Sequence, residues 1–227
     1  MSADQPEPDK AALSPAAPSP VFADRRRVSQ DERRAAILAA ALDVFSTHGF
    51  AAARLDDVAQ KAGVAKGTLY LYFPDKEALF EQLLTSLASP VLGRLEALSA
   101  AEHLSADVVL GEIIDLFQSQ VLGTPRERIL RLIIAEGPRF PRIAQLYHRD
   151  IISKGRQLLR KIVERGYERG ELANNALAKF PQLFFAPVMV AVIWNALFGA
   201  FDPLDIRGML EQHKRLMLGP DTREKRP

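Results

Sequence analysis

A glycine between two short helical segments constrains the fold of this chain most strongly. Residues 55–62 place apolar side chains at helical spacing, and Gly63 follows them directly. The next stretch, GVAKGTLYLYF at residues 63–73, does not fit a Walker phosphate loop, because its lysine precedes the second glycine and a helix precedes the first. A strand is excluded because Gly67 would lie in its middle with no strand to pair with. The stretch therefore predicts a second short helix after a tight turn.

Helical geometry divides this second segment into two sides. At about 3.6 residues per turn, Leu69 and Phe73 fall together on the side that packs inward. The opposite side and its flanks carry Lys66, Gly67, Thr68, Tyr70 and Leu71. The glycine allows close approach of a partner, and a lysine at a helix N-terminus favours anions. Short helix, tight turn and short helix form the helix-turn-helix pattern, whose second helix enters the major groove of DNA.

Two longer stretches carry a family resemblance. ILAAALDVFSTHGF and LDDVAQKAGVAKGTLYLYFPDKEALF, within residues 33–80, resemble the DNA-binding domain of the tetracycline-repressor (TetR) family of bacterial regulators. The resemblance implies a helix-turn-helix over Arg54–Phe73 and a phosphate contact by Lys76. The residues that it implies meet bases and phosphates are Lys66, Gly67, Thr68, Tyr70, Leu71 and Tyr72. For Tyr70 and Tyr72, half-buried packing is the alternative, and it applies more to Tyr72, which lies nearer the inward side.

The sequence departs from the family pattern at two positions. Ala53 and Arg54 stand where the family usually has a capping threonine or serine, and Ala65 stands where a serine usually follows GV. Those hydroxyls cap helices or touch phosphate. Arg54 is expected to replace one of them with a charged phosphate contact.

The remaining sequence predicts helices and no strands, so the fold class is all-α. SQDE at residues 29–32 fits a capping box that would start the first helix at Ser29, and Gly49 is its expected left-handed end. Later helices are predicted at 76–98, 105–122, 125–136, 140–169, 176–199 and 205–218. The total is about nine helices.

Composition and the glycine and proline residues between predicted helices divide the chain into four parts. Residues 1–28 are rich in proline, alanine and serine and are expected to be a disordered tail with a basic end. Residues 29–75 form the predicted helix-turn-helix domain, residues 76–219 a helical effector-binding and dimerisation domain, and residues 220–227 a second tail. The basic run Arg25–Arg27 is either a solvated charge run or an arm that reaches the minor groove.

The resemblance weakens after Phe80, although residues 131–148 resemble some family members near efflux genes. It implies a homodimer joined through the last two helices, about 176–199 and 206–218. The uncharged residues 188–198 are then expected to be covered by the partner. A two-fold dimer would set two recognition helices about 34–36 Å apart and predicts a palindromic operator in double-stranded DNA.

The resemblance also implies a pocket for a small, apolar effector in the second domain. Taken singly, each candidate lining residue fits ordinary core better than a pocket. The candidates are Ile113, Phe117, Ile133, Phe140, Tyr147, Phe184, Phe185 and Trp194. Glu136 and Arg139 flank a Gly-Pro break, where they meet either a ligand or each other. The implied mechanism is a population shift, in which the ligand favours a dimer whose recognition helices no longer match the groove spacing.

One uncharged stretch, residues 180–201, approaches the length of about 20 residues that crosses a bilayer. Pro181, Gln182, Pro187 and Asn195 interrupt it, so a buried helix is predicted and no membrane partner. The absence of cysteine excludes disulfides, thiolate metal sites and cysteine nucleophiles, and it fits a cytoplasmic location.

Enzymatic function is the first competing class. The four histidines lie in distant segments and form no recognisable metal or nucleophile motif, so no catalytic residue, metal or cofactor is expected. The net charge of +2 gives no overall argument for a nucleic-acid partner. Residues of the motif instead predict a DNA-binding regulator, most simply a ligand-responsive repressor. The alternative is a helical interaction protein that has lost DNA binding, which the substitutions at 53, 54 and 65 keep open.

Overall fold

The computed structural model describes residues 20–172 and 175–218, with side chains from residue 30 onward. Its elements are α1 (Pro20–Ala52), α2 (Leu55–Ala62), α3 (Lys66–Tyr72), α4 (Lys76–Ala100), α5 (Ala106–Gln120), α6 (Pro125–Glu136), α7 (Pro141–Tyr147), a π-helical turn (His148–Ile152), α8 (Ser153–Glu168), α9 (Ala176–Lys179), α10 (Gln182–Leu197) and α11 (Ile206–Leu218). No strand occurs in these ranges, and the all-α prediction is confirmed. The described part of the chain divides into two compact units, one that ends at Ala36 and one that begins at Ile37.

Helix α1 begins at Pro20 and not at the predicted Ser29. Proline suits the first helical position, because its fixed φ matches the helix and its missing N–H has no helical partner there. The capping-box interpretation is therefore wrong, and residues 20–28 of the predicted tail have helical backbone. Residues 1–19 and 219–227 lie outside the described residues, as do the side chains of the basic run Arg25–Arg27.

Two glycines break the N-terminal helices where the sequence predicts. Gly49 has a φ of 75°, and α1 continues only briefly beyond it to Ala52. Gly63 has a φ of 67°, and its N–H donates to the carbonyls of Ala59 and Gln60 at the end of α2. Most side chains avoid this left-handed region, so the turn between α2 and α3 depends on glycine.

The first hydrophobic core joins the N-terminal helices to the start of α4. Phe45, Phe50 and Phe80 form an aromatic cluster with ring centroids 5.3 to 5.6 Å apart. From α3, Leu69 and Phe73 are 0% and 1% exposed in the same core. Both inward positions predicted from helical geometry are confirmed. The core thereby fixes α3 against its neighbours and leaves the opposite side facing solvent.

A second hydrophobic core draws buried side chains from α4, α5, α8, α10 and α11. Helix α4 belongs to both cores: Leu79 and Leu83 lie in the first, and Val91 and Leu95 lie in the second. Pro90 lies in the helix between these two groups and removes one backbone hydrogen bond there. One helix with a locally weakened segment thus connects the two cores.

Two predicted helices are interrupted, so the described residues contain eleven α-helices and one π-helical turn. The predicted helix 140–169 contains the π-helical turn between α7 and α8, a widened turn of a kind frequent at functional sites. The predicted helix 176–199 breaks at Phe180, which has a φ of −127° and precedes Pro181. A residue before proline avoids the helical conformation, which explains this break.

Within the described ranges, one stretch, Gln30–Ala52 of α1, has the length and apolar composition of a membrane span. Its residues Ile37, Ala41 and Phe45 are almost completely buried in the first core, as in the core helix of a globular domain. The uncharged stretch 180–201 forms α10, which is too short to be counted as a span.

Candidate nucleic-acid interface and effector cavity

The side of α3 that faces away from the core is exposed. Leu71 is 87% exposed and Tyr70 is 43% exposed, although both neighbour the buried Leu69 in sequence. Gly67 is also exposed, and a Cβ atom added there would meet no atom within 4 Å. Internal packing therefore does not require glycine, which costs about 0.5–1 kcal/mol relative to alanine inside a helix. A glycine here is useful for close approach of an external partner.

Lys66, at the start of α3, is paired with an acid of α2. Its Nζ atom lies 2.9 Å from Asp56, and both side chains are more than half exposed. The hydrogen bond from Lys66 to Asp56 raises the pKa of the lysine, which therefore stays charged at neutral pH. The same Nζ atom lies 5.9 Å from the ring centre of Tyr70. Sequence spacing predicts that the lysine is exposed, but it does not predict that Asp56 of the same chain pairs with it.

Lys76, at the start of α4, makes internal contacts that the sequence does not reveal. Its Nζ atom donates to the carbonyls of Phe50 and Ala51 at 2.9 and 3.0 Å. It also lies 4.8 Å from the ring centre of Phe50. A cation suits these carbonyls, because a helix C-terminus carries partial negative charge. Lys76 therefore holds the end of α1 in the free protein, and its phosphate contact stays a prediction.

Arg54 precedes α2 and is exposed. Among the described residues no side chain caps α2 or α3, whereas Asp75 caps α4 by accepting the N–H of Ala78 at 2.7 Å. The two helices whose capping hydroxyl is replaced by Arg54 or Ala65 thus begin with uncapped amides. A surface groove brings Arg54 together with two other predicted contact residues, Tyr70 and Lys76.

Two other predicted contact residues are less accessible. Thr68 and Tyr72 are half-buried. Tyr72 packs against the first core, and its ring centre lies 6.3 Å from that of Phe73. The alternative of half-buried packing therefore describes Tyr72 better than it describes Tyr70.

An apolar cavity of about 290 Å³ lies among α4, α5, α6, α7, the π-helical turn, α8 and α10. Three predicted lining residues contact it, namely Phe117, Tyr147 and Phe185. The sequence did not single out α4 as the main wall, although Leu84, Leu87, Val91, Leu92 and Leu95 line the cavity. Their helical spacing places them on one side of α4, but it does not mark that side as the wall of a cavity.

The other five candidate lining residues lie outside this cavity. Ile113 and Phe184 are buried in the second core, while Ile133 and Phe140 pack against the first. Trp194 meets Phe198 edge to face, with 5.1 Å between the ring centres, and donates from Nε1 to the backbone carbonyl of Asp202. Each occupies ordinary packing positions, because apolar side chains at helical spacing do not distinguish a core from a cavity.

Four polar residues line the cavity, and sequence reasoning found only Tyr147 among them. Arg126 donates from Nε to the carbonyl of Leu87 at 2.6 Å and from Nη1 to the carbonyl of Gln120 at 3.0 Å. Arg156 has a buried Nε atom that finds no hydrogen-bond partner in the described part of the chain. Burial raises the pKa of the Tyr147 hydroxyl, which therefore remains protonated.

The cavity wall and the first core share side chains. Leu84 and Ile129 are buried members of that core and also line the cavity. Leu87, Tyr147 and Ile151 pack against the same core and line the cavity as well. A molecule in the cavity would therefore press on the packing that positions α3.

Glu136 and Arg139 do not line the cavity, nor does an ion pair join them within the described ranges. The Oε2 atom of Glu136 is buried without a hydrogen-bond partner among these residues. A Cβ atom built on Gly49 would lie 3.4 Å from Oε1 of Glu136, so the end of α6 approaches the kink of α1. Arg139 instead lies over Phe140, with 5.8 Å between the guanidinium carbon and the ring centre.

The last two helices and the loop between them expose large apolar side chains. On α10 these are Leu183, Val190, Ile193 and Leu197, and beyond it they are Phe198, Phe201 and Leu216. Exposed fractions range from 37% for Phe198 to 79% for Leu216. We call this set the α10–α11 surface. Large apolar surfaces of this kind mark protein contacts.

Two family models match the chain. "Bacterial regulatory proteins, tetR family" matches residues 37–83, and "Tetracyclin repressor-like, C-terminal domain" matches residues 105–212. The chain belongs to the TetR family. The resemblance drawn from the helix-turn-helix is thereby confirmed, and the second model extends it over residues 105–212. TetR family proteins are transcriptional regulators, which also confirms that the chain does not belong to an enzyme family.

Known relatives agree with this assignment. RutR, an HTH-type transcriptional regulator of Escherichia coli K12, is 42% identical over 73 residues, which are 32% of this chain and 34% of RutR. The chain thus matches about a third of the length of that relative.

Solved structures of TetR type share the fold. FadR from Bacillus subtilis, in complex with stearoyl-CoA, is 21% identical with a TM-score of 0.63, covering 81% of this chain and 97% of FadR. A transcriptional regulator from Saccharomonospora viridis, in complex with choline, is 18% identical with a TM-score of 0.65, covering 87% of this chain and 97% of that protein. At these identities the likeness concerns the fold alone.

Proposed function

We propose that this TetR family protein is a ligand-responsive repressor that binds a palindromic operator in double-stranded DNA as a homodimer. The outward side of α3 carries the proposal. It presents a lysine, a glycine with open space around it, and the exposed pair Tyr70 and Leu71, while Leu69 and Phe73 anchor the other side. A helix that reads a DNA groove needs such an anchored, accessible side. A protein of this kind works in the cytoplasm beside the chromosome.

The contact residues divide by chemistry. Lys66 and Arg54 are proposed to meet phosphates, because cations are attracted to the DNA backbone. Gly67 and Thr68 allow close approach, and Tyr70 and Leu71 supply contacts to base edges, including the apolar methyl group of thymine. Lys76 and Tyr72 remain proposed contacts in addition to the internal roles described above.

The α10–α11 surface is proposed to form the homodimer interface. Its exposed residues, among them Ile193 and Leu197, would be covered by the same surface of a second copy, as two-fold symmetry requires. This pairing would set two recognition helices about 34–36 Å apart, one turn of B-DNA. The predicted palindrome of the operator follows from that symmetry.

The ligand response is proposed to pass through shared packing. Leu84 and Ile129 belong to both the cavity wall and the first core, so a ligand that moves them changes the support of α3. Helix α4 runs from the first core to the cavity and contains Pro90 along that path. A ligand with different affinities for two arrangements of α4 would shift the population between them. Complexes of the relatives with stearoyl-CoA and choline support a ligand site in this fold but do not agree on ligand chemistry.

Selection of bound sequences from random duplex DNA, with purified protein at moderate salt, tests the proposal. A palindromic consensus whose affinity falls steeply with salt supports a dimeric DNA-binding regulator, since each phosphate contact releases counterions. A lack of enrichment even at low salt would favour the alternative, a helical interaction protein. The affinity of the Lys66→Ala variant for the selected operator would then separate specific docking from general electrostatic attraction. The control is the affinity of Lys214→Ala, a variant far along the chain in α11.

A further inference from the structure

The charged residues that line the cavity all carry positive charge. Its described lining residues include two arginines, Arg126 and Arg156, and neither aspartate nor glutamate. The rest of the wall is apolar apart from Tyr147 and Gln182. Cations at a buried surface are ordinarily paired with acids. This wall therefore lacks the negative group that its arginines would normally contact.

The two arginines differ in what they already contact. The guanidinium of Arg126 donates to the carbonyls of Leu87 and Gln120 and so connects α6 to the middle of α4 and to the end of α5. Arg156 makes no such contact within the described chain, and its Nε atom is buried. A buried N–H without an acceptor is unfavourable, and more so when the group is charged. Arg126 thus has a structural role, whereas the buried Nε atom of the half-buried Arg156 has no acceptor among the described residues.

The volume of the cavity limits the size of a ligand that could supply an acceptor to Arg156. About 290 Å³ accommodates about ten heavy atoms, if each takes the roughly 30 Å³ that one molecule occupies in liquid water. The wall formed by Leu87, Val91 and Phe185 is suited to a hydrocarbon chain. A planar guanidinium matches the geometry of a carboxylate.

We propose that the cavity binds an amphiphilic carboxylate, with Arg156 contacting the carboxylate and the apolar wall enclosing a chain of about ten heavy atoms. This inference rests on the ligand response in the proposed function and names the class of effector. A neutral alcohol would leave Arg156 without an anionic partner. An amine would add a third positive charge beside Arg126 and Arg156. The protonated Tyr147 hydroxyl supplies a further donor at the same wall.

Calorimetric titration of the full-length protein, without DNA, tests the charge preference. The probes are decanoate, decanol and decylamine, which share a ten-carbon chain and differ in charge. We expect saturable binding of decanoate that is about tenfold tighter than that of decanol or decylamine, since a charge-assisted hydrogen bond is worth about that factor. Absence of decanoate binding, or equal binding of decanol, would overturn the proposal.

Variants of α8 assign the preference to one residue. Arg156→Gln should weaken decanoate binding about tenfold and leave decanol binding unchanged, and Arg156→Lys, which keeps the charge but loses the planar guanidinium, should retain only part of the affinity. The matched control is Arg160→Gln on the same helix, which removes an exposed arginine paired with Glu164 and should bind decanoate normally. Circular dichroism confirms that each variant is folded. Wild-type affinity in Arg156→Gln, or an equal loss in Arg160→Gln, would overturn the assignment.

Operator titration with decanoate keeps this inference separate from the proposed function. Decanoate binding through Arg156 is measured without DNA, so calorimetry alone tests the proposed ligand class. If decanoate binds through Arg156 but leaves operator affinity unchanged, the cavity assignment is supported and the ligand-responsive repressor is contradicted.

Discussion

Lys66 Nζ lies 2.9 Å from the carboxylate of Asp56, which joins the first residue of α3 to the first turn of α2. The cation proposed to meet a phosphate is therefore already paired in the free protein. DNA binding must exchange one carboxylate oxygen for a phosphate oxygen. Asp56 thus competes with the operator for the same lysine.

Removing this competition should strengthen DNA binding. Asp56→Asn frees Lys66 and removes a negative charge near the DNA, so operator affinity should rise severalfold at low salt. Lys66→Ala should lower affinity and reduce the salt slope by about one, as expected for one lost phosphate contact. Fluorescence anisotropy at several salt concentrations measures both effects. The control is Lys214→Ala, which breaks an ion pair with Asp107 in another part of the chain, although this lysine is less exposed than Lys66. An unchanged salt slope in folded Lys66→Ala would contradict the assigned role.

Substitution of Gly67 should separate stability from function. Because a Cβ atom there meets no neighbour, Gly67→Ala should raise the free energy of unfolding by about 0.5–1 kcal/mol. The same methyl group should weaken operator binding, since it holds the DNA backbone away from α3. Urea denaturation and operator titration give the two quantities. The comparison is Gly63→Ala, where the φ of 67° should make alanine destabilising by about 1–2 kcal/mol. Unaltered DNA affinity in Gly67→Ala would argue against close approach at this position.

The two roles of Lys76 can be measured independently. Lys76→Met keeps the aliphatic stem but removes both hydrogen bonds to the end of α1, and should lower the free energy of unfolding by about 1 kcal/mol after allowance for partial exposure. If the contact is purely internal, the salt slope of operator binding stays at the wild-type value. A slope reduced by about one would instead support a phosphate contact by Lys76.

Charge on the α10–α11 surface should prevent dimerisation. Ile193 is 42% exposed on α10, so Ile193→Glu can be tolerated by the monomer but would bury a carboxylate in the proposed interface. Analytical ultracentrifugation should show a monomer, and operator affinity should fall because two half-sites are no longer bound together. Tyr167→Glu on α8, at a similar exposed fraction, is the control and should remain dimeric. A dimeric Ile193→Glu would place the interface elsewhere.

Acid should weaken one link between α1 and α6. Arg128 donates to Asp43 at 2.9 Å, and this hydrogen bond lowers the pKa of Asp43 from its ordinary value. A lowered carboxyl pKa contributes stability above the unfolded pKa and loses it as the pH falls through the folded pKa. Asp43→Asn should therefore cost less than about 1 kcal/mol at neutral pH, and this difference should shrink toward zero in acid. Denaturation curves at several pH values test this, and a difference that persists at low pH would contradict it.

Local sequence determined much of the N-terminal part. Gly63, the bounds of α2 and the inward positions Leu69 and Phe73 followed from helical spacing and backbone sterics, which act between residues close in the chain. The exposed side of α3 followed from the same geometry. The start of α1 did not, because the capping pattern at Ser29 competes with a continuous run of helix-forming residues after Pro20.

Contacts between distant residues were decided by the tertiary structure alone. The pairing of Lys66 with Asp56, the carbonyl contacts of Lys76 and the lack of an acceptor for Arg156 depend on how helices pack, which helical spacing does not specify. Five of eight predicted cavity residues proved to be core or surface packing, because apolar side chains look alike in sequence whether they face a neighbour or an empty space. The sequence by itself established which residues turn inward or outward on each helix, and packing decided what each side meets.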